Sequence, residues 1–321
     1  MSARTVYIDR AAIPDAPPER PAFTVSACDT AELLAREIPR REVFLAPWLT
    51  AQSLSMLWAW RGTGKTWAAL WIAYAVATGD TALGWRATQP CRVLYLDGEL
   101  PAAELQHRVA QIQTAIDPEP APGFLRFVTP DFQRAGMPNI ASAQGQLALA
   151  PLAAESDLII VDSIATLGRA GRENETEGWQ PVAQWALEQR ASGRAVLFIH
   201  HGGKNGQQRG TSSREDILDT VISLRHPKDY SEREGARFLV QFDKCRSLKG
   251  AEVDPFEALL DRDQHGRLQW TCKPADIGRN QQIEEMLGLG MSMREIAGEL
   301  GIGLATVHRA AKAIKEGGDH D

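Results

Sequence analysis

A glycine-rich hexapeptide between an apolar run and a helical pattern limits the fold of this chain more than any other feature. The apolar run covers residues 54–60, the helical pattern covers residues 67–77, and the hexapeptide between them is Arg61-Gly62-Thr63-Gly64-Lys65-Thr66. Glycines at such a turn let backbone N–H groups approach a polyphosphate, and the helix presents its positive N-terminal end to it. Lys65 adds a point charge, and the Thr66 hydroxyl is a ligand for Mg²⁺. The pattern predicts binding of a nucleoside triphosphate, with Ala59 at the position of the usual first glycine.

The overall composition sets broad limits on function. The 321 residues are enough for one large domain and a small second module. The net charge of −6 argues against a generally basic surface, so any DNA contact must come from local clusters or from a channel between subunits. Four scattered cysteines, together with the lack of a secretory or membrane-spanning apolar run, predict a cytoplasmic protein with no membrane partner.

Apolar runs alternate with helical patterns over residues 42–272 and predict an α/β domain. We expect strands at 54–60, 92–96, 125–128, 158–161 and 195–200, and helices at 66–78, 103–116, 141–153 and 179–192. Such alternation predicts a mainly parallel sheet with helices on both faces and ligands at the carboxyl ends of the strands. Further strands at 221–224, 238–242 and 268–271 predict antiparallel additions at one edge.

The two ends of the chain differ from this central domain. Residues 1–41 are rich in proline and charge and are interpreted as an arm or linker, with a short helix at 29–37. Residues 278–316 are predicted to form a compact helical module.

Acidic residues follow two of the predicted strands. Asp97-Gly98-Glu99 follows the strand at 92–96, where a carboxylate can orient a water molecule against a γ-phosphate. We prefer Glu99 to Asp97 for this role, although a surface turn acid would give the same sequence. Asp162 ends the strand at 158–161 and is predicted to hold Mg²⁺ together with Thr66.

Two adjacent histidines, His200 and His201, end the strand at 195–200. A polar side chain at this place can report the state of the γ-phosphate to the loop that follows, and we assign this role to His201. The alternatives are that the histidines simply end the strand or bind a metal, for which the sequence suggests no third ligand nearby.

The combined motifs resemble those of RecA-like ATPases, and most closely those of the RepA-type hexameric helicases of plasmids and mobile elements, a group often labelled AAA_25. The resemblance covers residues 45–250. Its motifs are Lys65-Thr66, Asp97-Gly98-Glu99, Asp162-Ser163, Glu173-Asn174, His200-His201-x-x-Lys204 and Arg209-Gly210-Thr211-Ser212. The resemblance implies a RecA-like P-loop core, assembly into a hexameric ring, and ATP with Mg²⁺ held between subunits. It also implies that Glu99 is the catalytic carboxylate, and Arg108 matches an arginine often found on the next helix.

The same resemblance implies functional roles for two further segments. Residues 242–246 resemble a Lys-x-Arg strand end, in which Arg246, with Lys244 beside it, would reach the nucleotide of the neighbouring subunit. Arg209 competes for this role, and a solvated edge strand is the structural alternative. The loop 202–213 would line a central channel, where Lys204 and Arg209 would contact single-stranded DNA. A plain flexible loop would have a similar composition.

The segment 278–316 resembles a helix-turn-helix of the resolvase or regulator kind. Ser292 and Glu295 form a capping-box pattern, and Gly301 permits a tight turn before a second, basic helix. The residues predicted to contact duplex DNA are Thr306, Arg309, Lys312 and Lys315. The alternative is a helical bundle for contacts between subunits.

Three functions share this set of features. The first is an ATP-driven ring helicase or translocase acting on single-stranded DNA. The second is a DNA-binding regulator whose assembly is controlled by nucleotide. The third is a helicase loader or recombination mediator. A shared fold does not decide among them.

Overall fold

This computed structural model describes residues 26–169, 176–202, 215–275 and 279–317. The strands in these ranges are β1 (Val43–Leu45), β2 (Leu49–Thr50), β3 (Leu54–Ala59), β4 (Thr81–Ala82), β5 (Trp85–Arg86), β6 (Val93–Asp97), β7 (Leu125–Val128), β8 (Leu158–Asp162), β9 (Ala195–His201), β10 (Thr220–Arg225), β11 (Arg237–Cys245), β12 (Phe256–Arg262) and β13 (Leu268–Pro274). The helices are α1 (Thr30–Ala35), α2 (Lys65–Thr78), α3 (Ala102–Gln113), α4 (Ala143–Ala154), α5 (Ile164–Leu167), α6 (Thr176–Ala191), α7 (Arg279–Gly288), α8 (Met293–Glu299) and α9 (Leu304–Gly317).

The chain divides into two compact units, residues 1–40 and 41–321. In the described part of the first unit, Asp29 caps α1 by accepting a hydrogen bond from the Glu32 N–H at 2.8 Å. The Glu32 carboxylate accepts one from the Asp29 N–H at 3.1 Å in return, which completes a capping box. The helix predicted at 29–37 is thus present in a shorter form.

Nine strands of the second unit form one sheet in the order β13-β12-β11-β10-β3-β9-β8-β6-β7. The pairs from β10 through β3, β9, β8 and β6 to β7 are parallel. The pairs β10-β11, β11-β12 and β12-β13 are antiparallel. The predicted mainly parallel sheet with antiparallel additions at one edge is therefore confirmed.

The central strands are buried on both faces because their apolar residues alternate between two hydrophobic cores. In β3, for example, Leu57 and Ala59 face the core that contains α2 and α3, whereas Met56 and Trp58 face the core that contains α4, α5 and α6. Successive strand residues point to opposite faces, so a continuous apolar run serves both cores. This arrangement fixes the carboxyl ends of β3, β6, β8 and β9 along one edge of the sheet.

Several short or charged strands were not predicted from the sequence. The pairs β1-β2 and β4-β5 have too few residues to show a periodic pattern. β12 carries Glu257, which accepts hydrogen bonds from Arg237 at 2.9 Å and Lys273 at 3.2 Å on the two neighbouring strands. Cross-strand ion pairs therefore compensate for an acid inside this strand.

Helices α7, α8 and α9 surround a small hydrophobic cluster of their own. Its buried members are Ile283, Ile296, Val307 and Ala310. Ser292 and Glu295 form the predicted capping box at the start of α8, and Gly301 in the following turn has a φ of 59°. Within the described ranges, no helix has both the length and the apolar character needed to cross a membrane.

Candidate active site

The phosphate loop lies between the end of β3 and the start of α2. β3 ends at the buried Ala59, one residue earlier than predicted, and α2 begins at Lys65. Gly62 and Gly64 have φ values of 82° and 103°, a left-handed conformation that residues with a Cβ rarely adopt. The buried Thr63 hydroxyl donates a hydrogen bond of 3.0 Å to the Trp60 carbonyl at the start of the loop. The glycine pattern thus serves a sharp turn in front of a helix N-terminus.

The substitution Gly64→Ala is expected to destabilise the protein more than Gly62→Ala. A Cβ at Gly64 would lie 2.7 Å from the Cβ of Ala236, whereas no atom lies within 4 Å of a Cβ at Gly62. Both substitutions strain a positive φ, so the difference between them isolates the collision. We expect Gly64→Ala to lose about 1–3 kcal/mol more of the free energy of unfolding, measured by urea denaturation. Equal losses would contradict a tight contact with Ala236.

Lys65 is 7% exposed at the N-terminal end of α2. Burial lowers the pKa of its ammonium group, and the negative charges of Asp162 and Glu99 act in the opposite direction. These two carboxylates therefore lie close enough to Lys65 to interact with it electrostatically. A phosphate bound here would meet a cation that has already lost most of its water.

The two acidic residues in the turn after β6, Asp97 and Glu99, have different roles. Asp97 lies in register with Asp162 on the neighbouring parallel strand β8. Its carboxylate accepts hydrogen bonds from the N–H groups of Glu99 and of the next residue at 3.0 and 3.1 Å. A Cβ at Gly98 would collide with the Thr166 hydroxyl, so the turn needs glycine there. Asp97 therefore holds the turn, while Glu99 contacts the rest of the site.

Glu99 is fixed by two side chains from neighbouring strand ends. The Ser163 hydroxyl donates a hydrogen bond of 2.5 Å to Glu99 Oε1, and His201 Nε2 lies 2.9 Å from the same oxygen. The bond to His201 is the main cause that lowers the pKa of Glu99 to about 2, with Ser163 and the charge of Lys65 adding to it. Glu99 is therefore ionised at neutral pH. Ser163 belongs to the Asp162-Ser163 motif, but its bond to Glu99 was not foreseen.

Asp162 is fully buried at the end of β8. Its Oδ2 accepts a hydrogen bond of 2.7 Å from the Tyr95 hydroxyl, whereas its Oδ1 has no hydrogen-bond partner among the described residues. Burial is the main cause that raises the pKa of Asp162 to about 6, and the charges of Glu99 and Asp97 contribute to this rise. Tyr95 was missed from the sequence, because nothing distinguishes it from other apolar residues of β6.

The substitution Asp162→Asn is expected to remove a pH dependence of stability from the nucleotide-free protein. The folded pKa of about 6 exceeds the ordinary value of 3.8. Between these values the folded state keeps a proton that the unfolded state has lost, so the free energy of unfolding falls as the pH rises. Relative to wild type, the variant should gain about 2 kcal/mol in the free energy of unfolding between pH 4 and pH 7, measured by urea denaturation without magnesium. A constant difference across this range would contradict the burial of an ionisable Asp162.

The last residues of β9 explain why His201, rather than His200, reaches the acid. Successive strand residues point to opposite faces, and His201 is the one hydrogen-bonded to Glu99. His201 lies in register with Ala59 of β3, and the Gly202 N–H donates a hydrogen bond of 2.8 Å to the Ala59 carbonyl. The end of the phosphate-loop strand and the start of the segment after β9 are therefore directly joined.

An open cleft of 740 Å³ extends from the phosphate loop. The Arg108 guanidinium lies 5.1 Å from the centre of the Trp67 ring and donates a hydrogen bond of 2.7 Å to Glu104. The residues that line the cleft are Trp60, Arg61, Gly62, Gly64, Lys65, Thr66, Trp67, Arg108, His226, Tyr230, Glu232, Gly235 and Ala236. The predicted residues Arg61 and Thr66 are thus on its wall, together with a loop at 226–236 that the sequence did not single out.

Lys244 and Arg246 bind backbone carbonyls in this structure. Lys244 Nζ donates a hydrogen bond to the Glu215 carbonyl, and Arg246 donates one of 2.7 Å to the Asp216 carbonyl. These carbonyls belong to the first two described residues after the segment 203–214. A role of the two cations at a neighbouring nucleotide stays a prediction. Lys204 and Arg209 lie outside the described residues, as do Glu173 and Asn174.

The residues predicted to contact duplex DNA lie on α9. Arg309 and Lys312 are exposed, while Thr306 is half-buried. Arg309 Nε donates a hydrogen bond of 3.3 Å to the Ala305 carbonyl one turn earlier. The side chain of Lys315 lies outside the described residues. DNA binding by this helix stays a prediction.

The phosphate loop between β3 and α2 and the acids at the ends of β6 and β8 define a class, the P-loop ATPases with a RecA-like fold. Within this class, the sequence model of the AAA_25 family, an AAA domain, matches residues 18–207. The match covers more than half of the chain, so the protein belongs to this family.

The solved structures that are similar to the chain include the following two. One is the flagellar accessory protein FlaH from Methanocaldococcus jannaschii, with a TM-score of 0.47, 14% identity, and coverage of 69% of this chain and 90% of that chain. The other is a KaiC-like protein from Pyrococcus horikoshii OT3, with a TM-score of 0.50, 16% identity, and coverage of 73% of this chain and 99% of that chain. The second similarity shows a shared fold. No curated protein matches the chain in sequence.

Proposed function

We propose that the protein is an ATP-driven motor that acts on single-stranded DNA, a RepA-like ring helicase or translocase for the replication or mobilisation of a plasmid or mobile element. One contact carries the proposal, the hydrogen bond of 2.9 Å between His201 and Glu99. The segment 203–214 follows β9 almost at once and contains Lys204 and Arg209, the residues predicted to contact DNA. DNA bound to that segment would therefore act on the hydrolytic carboxylate through a single hydrogen bond.

Glu99 would orient the water molecule that attacks the γ-phosphate. A carboxylate with a pKa of about 2 is a weak proton acceptor while its bond to His201 persists. Loss of that bond removes the main cause of the low pKa, so the carboxylate becomes a better base. A movement of His201 would thus link the state of the DNA segment to the rate of hydrolysis.

The donor set of the site fits Mg²⁺. Asp162 Oδ1 is buried without a hydrogen-bond partner in the described part of the chain, and Thr66 lines the cleft beside Lys65. These two residues would hold the ion directly or through water, in company with phosphate oxygens. When bound, the ion neutralises charge on the β- and γ-phosphates of ATP.

A homo-oligomeric ring, which we propose to be hexameric, would complete the site with a cation from the next subunit. Arg246 is exposed and holds the Asp216 carbonyl, and Lys244 holds the Glu215 carbonyl beside it. In the ring, Arg246 would release the Asp216 carbonyl and bind the γ-phosphate of the nucleotide held by the neighbouring subunit. The exchange would also free the backbone of Asp216, which follows the segment 203–214 in the sequence.

A second candidate function is a DNA-binding regulator, or a loader, whose ATPase controls assembly. The separate hydrophobic cluster of α7, α8 and α9 supports this alternative, since a module with its own core can bind duplex DNA without the motor. The exposed Arg309 and Lys312 on α9 would make the contacts. In the motor, the same module would direct the ring to its site.

Hydrolysis and strand-displacement assays separate these functions. For the motor, single-stranded DNA should stimulate ATP hydrolysis, and a labelled strand should be displaced in an ATP-dependent reaction. Arg309→Ala should weaken duplex binding and leave hydrolysis unchanged. Tight binding to one duplex site with no stimulation and no displacement would favour the regulator and contradict the motor.

A further inference from the structure

We propose that the stacked rings of His226 and Tyr230 bind the nucleobase of the nucleotide by aromatic stacking. The inference rests on the proposed nucleotide site, because it assigns the base to the same cleft as the phosphates. It adds the residues that distinguish a nucleoside triphosphate from inorganic tripolyphosphate.

Residues of the loop at 226–236 line the same cleft as the phosphate loop. His226, Tyr230 and Ala236 line the cleft together with Lys65. Ala236 also touches the phosphate loop closely enough that a Cβ at Gly64 would lie 2.7 Å from its own Cβ. A nucleotide with its phosphates on the phosphate loop therefore has this loop beside it.

The two rings form a platform suited to a flat ligand. Their centroids are 3.5 Å apart and their planes differ by 20°. Both residues are only partly buried, and both line the cleft. A base can extend such a stack, since every base has an aromatic face.

The loop is held in place before any ligand binds. The Tyr230 hydroxyl donates a hydrogen bond of 2.9 Å to the Gly235 carbonyl, which closes the loop on itself. The buried Arg237 donates hydrogen bonds of 3.0 and 3.1 Å to Asp229 and one of 2.9 Å to Glu234. A platform fixed in this way loses little conformational entropy when a base binds.

A hydrogen bond to the backbone also fixes the ring of His226. Its Nδ1 lies 3.0 Å from the Arg237 carbonyl, and a carbonyl oxygen only accepts, so Nδ1 carries a proton. This bond holds the imidazole in one orientation, which adds to the rigidity of the platform.

Binding of ATP, GTP and inorganic tripolyphosphate tests the proposal with the full chain and Mg²⁺ in a calorimeter. Wild type should bind ATP and GTP more tightly than tripolyphosphate, because both bases can stack on the two rings. His226→Ala and Tyr230→Ala should each weaken ATP binding by roughly 5- to 150-fold and leave tripolyphosphate binding unchanged. Tyr230→Phe keeps the ring and loses only the bond to the Gly235 carbonyl, so it should retain much more of the ATP affinity than Tyr230→Ala.

Phe132→Ala is the matched control, because Phe132 is an exposed aromatic residue that does not line the cleft. It should leave all three affinities unchanged. Equal affinity of wild type for ATP and tripolyphosphate would overturn the inference while the phosphate site stands. If the two alanine variants lose affinity for ATP and for tripolyphosphate to the same extent, the inference is also overturned, because the loop at 226–236 would then only support the phosphate loop. If wild type binds none of the three ligands, the proposed function itself is overturned.

Discussion

The substitution Glu99→Gln is expected to abolish ATP hydrolysis while ATP still binds. Glutamine has the same shape and still accepts the hydrogen bond from the Ser163 hydroxyl, so the turn after β6 should keep its form. It has no negative charge to orient the attacking water or accept its proton, and we expect turnover to fall by about 10²- to 10⁴-fold. Steady-state phosphate release and equilibrium ATP binding measure the two effects separately.

Glu155→Gln provides the control for this variant. Glu155 is an exposed carboxylate whose ion pair with Arg126 contributes little at the surface. Its turnover should equal that of wild type. Turnover of Glu99→Gln within about tenfold of wild type would refute Glu99 as the hydrolytic acid.

The substitution Arg246→Ala is expected to reduce hydrolysis by about 10³-fold or more without preventing ATP binding, because an arginine supplied from a neighbouring subunit acts mainly in the transition state. Arg262→Ala is a matched control. Arg262 is also exposed and donates a hydrogen bond to a carbonyl, that of Gly266, but it belongs to the hairpin at the antiparallel edge of the sheet. This control should keep its full activity.

A mixing experiment shows whether Arg246 acts across a subunit boundary. Neither Arg246→Ala nor Glu99→Gln alone should hydrolyse ATP. In a mixed ring, some boundaries combine Glu99 of one variant with Arg246 of the other, so mixing should restore activity. Co-assembled subunits that stay inactive would contradict an arginine supplied by the neighbour.

Much of the sheet followed from the sequence because its strands are buried on both faces. The run at 158–161 and the acid after it predicted β8 and Asp162, and the glycines at 62 and 64 predicted a phosphate loop. The strands β4 and β5 were missed because two residues carry no periodic signal. β12 was missed because the compensation for Glu257 comes from residues far away in the sequence.

The candidate site could be predicted only where an acidic or polar side chain lies at the end of a predicted strand. Glu99 and His201 each end or follow a strand, so both were assigned to the site from the sequence, but the hydrogen bond between them was not predicted. The bonds from Ser163 and Tyr95 depend on side-chain direction, which the pattern does not contain. His226 and Tyr230 lie in a loop, and their stacking results from the network around Arg237.

Titration of Mg–ATP into the full-length protein tests the central claim most directly, because every other step requires the phosphate loop to hold a triphosphate. We expect saturable binding with an affinity between about 1 μM and 1 mM. Lys65→Ala should weaken it by roughly 30-fold or more, since a buried charged partner of the phosphates is lost. Absence of ATP binding by wild type, or equal binding by Lys65→Ala, would contradict the account.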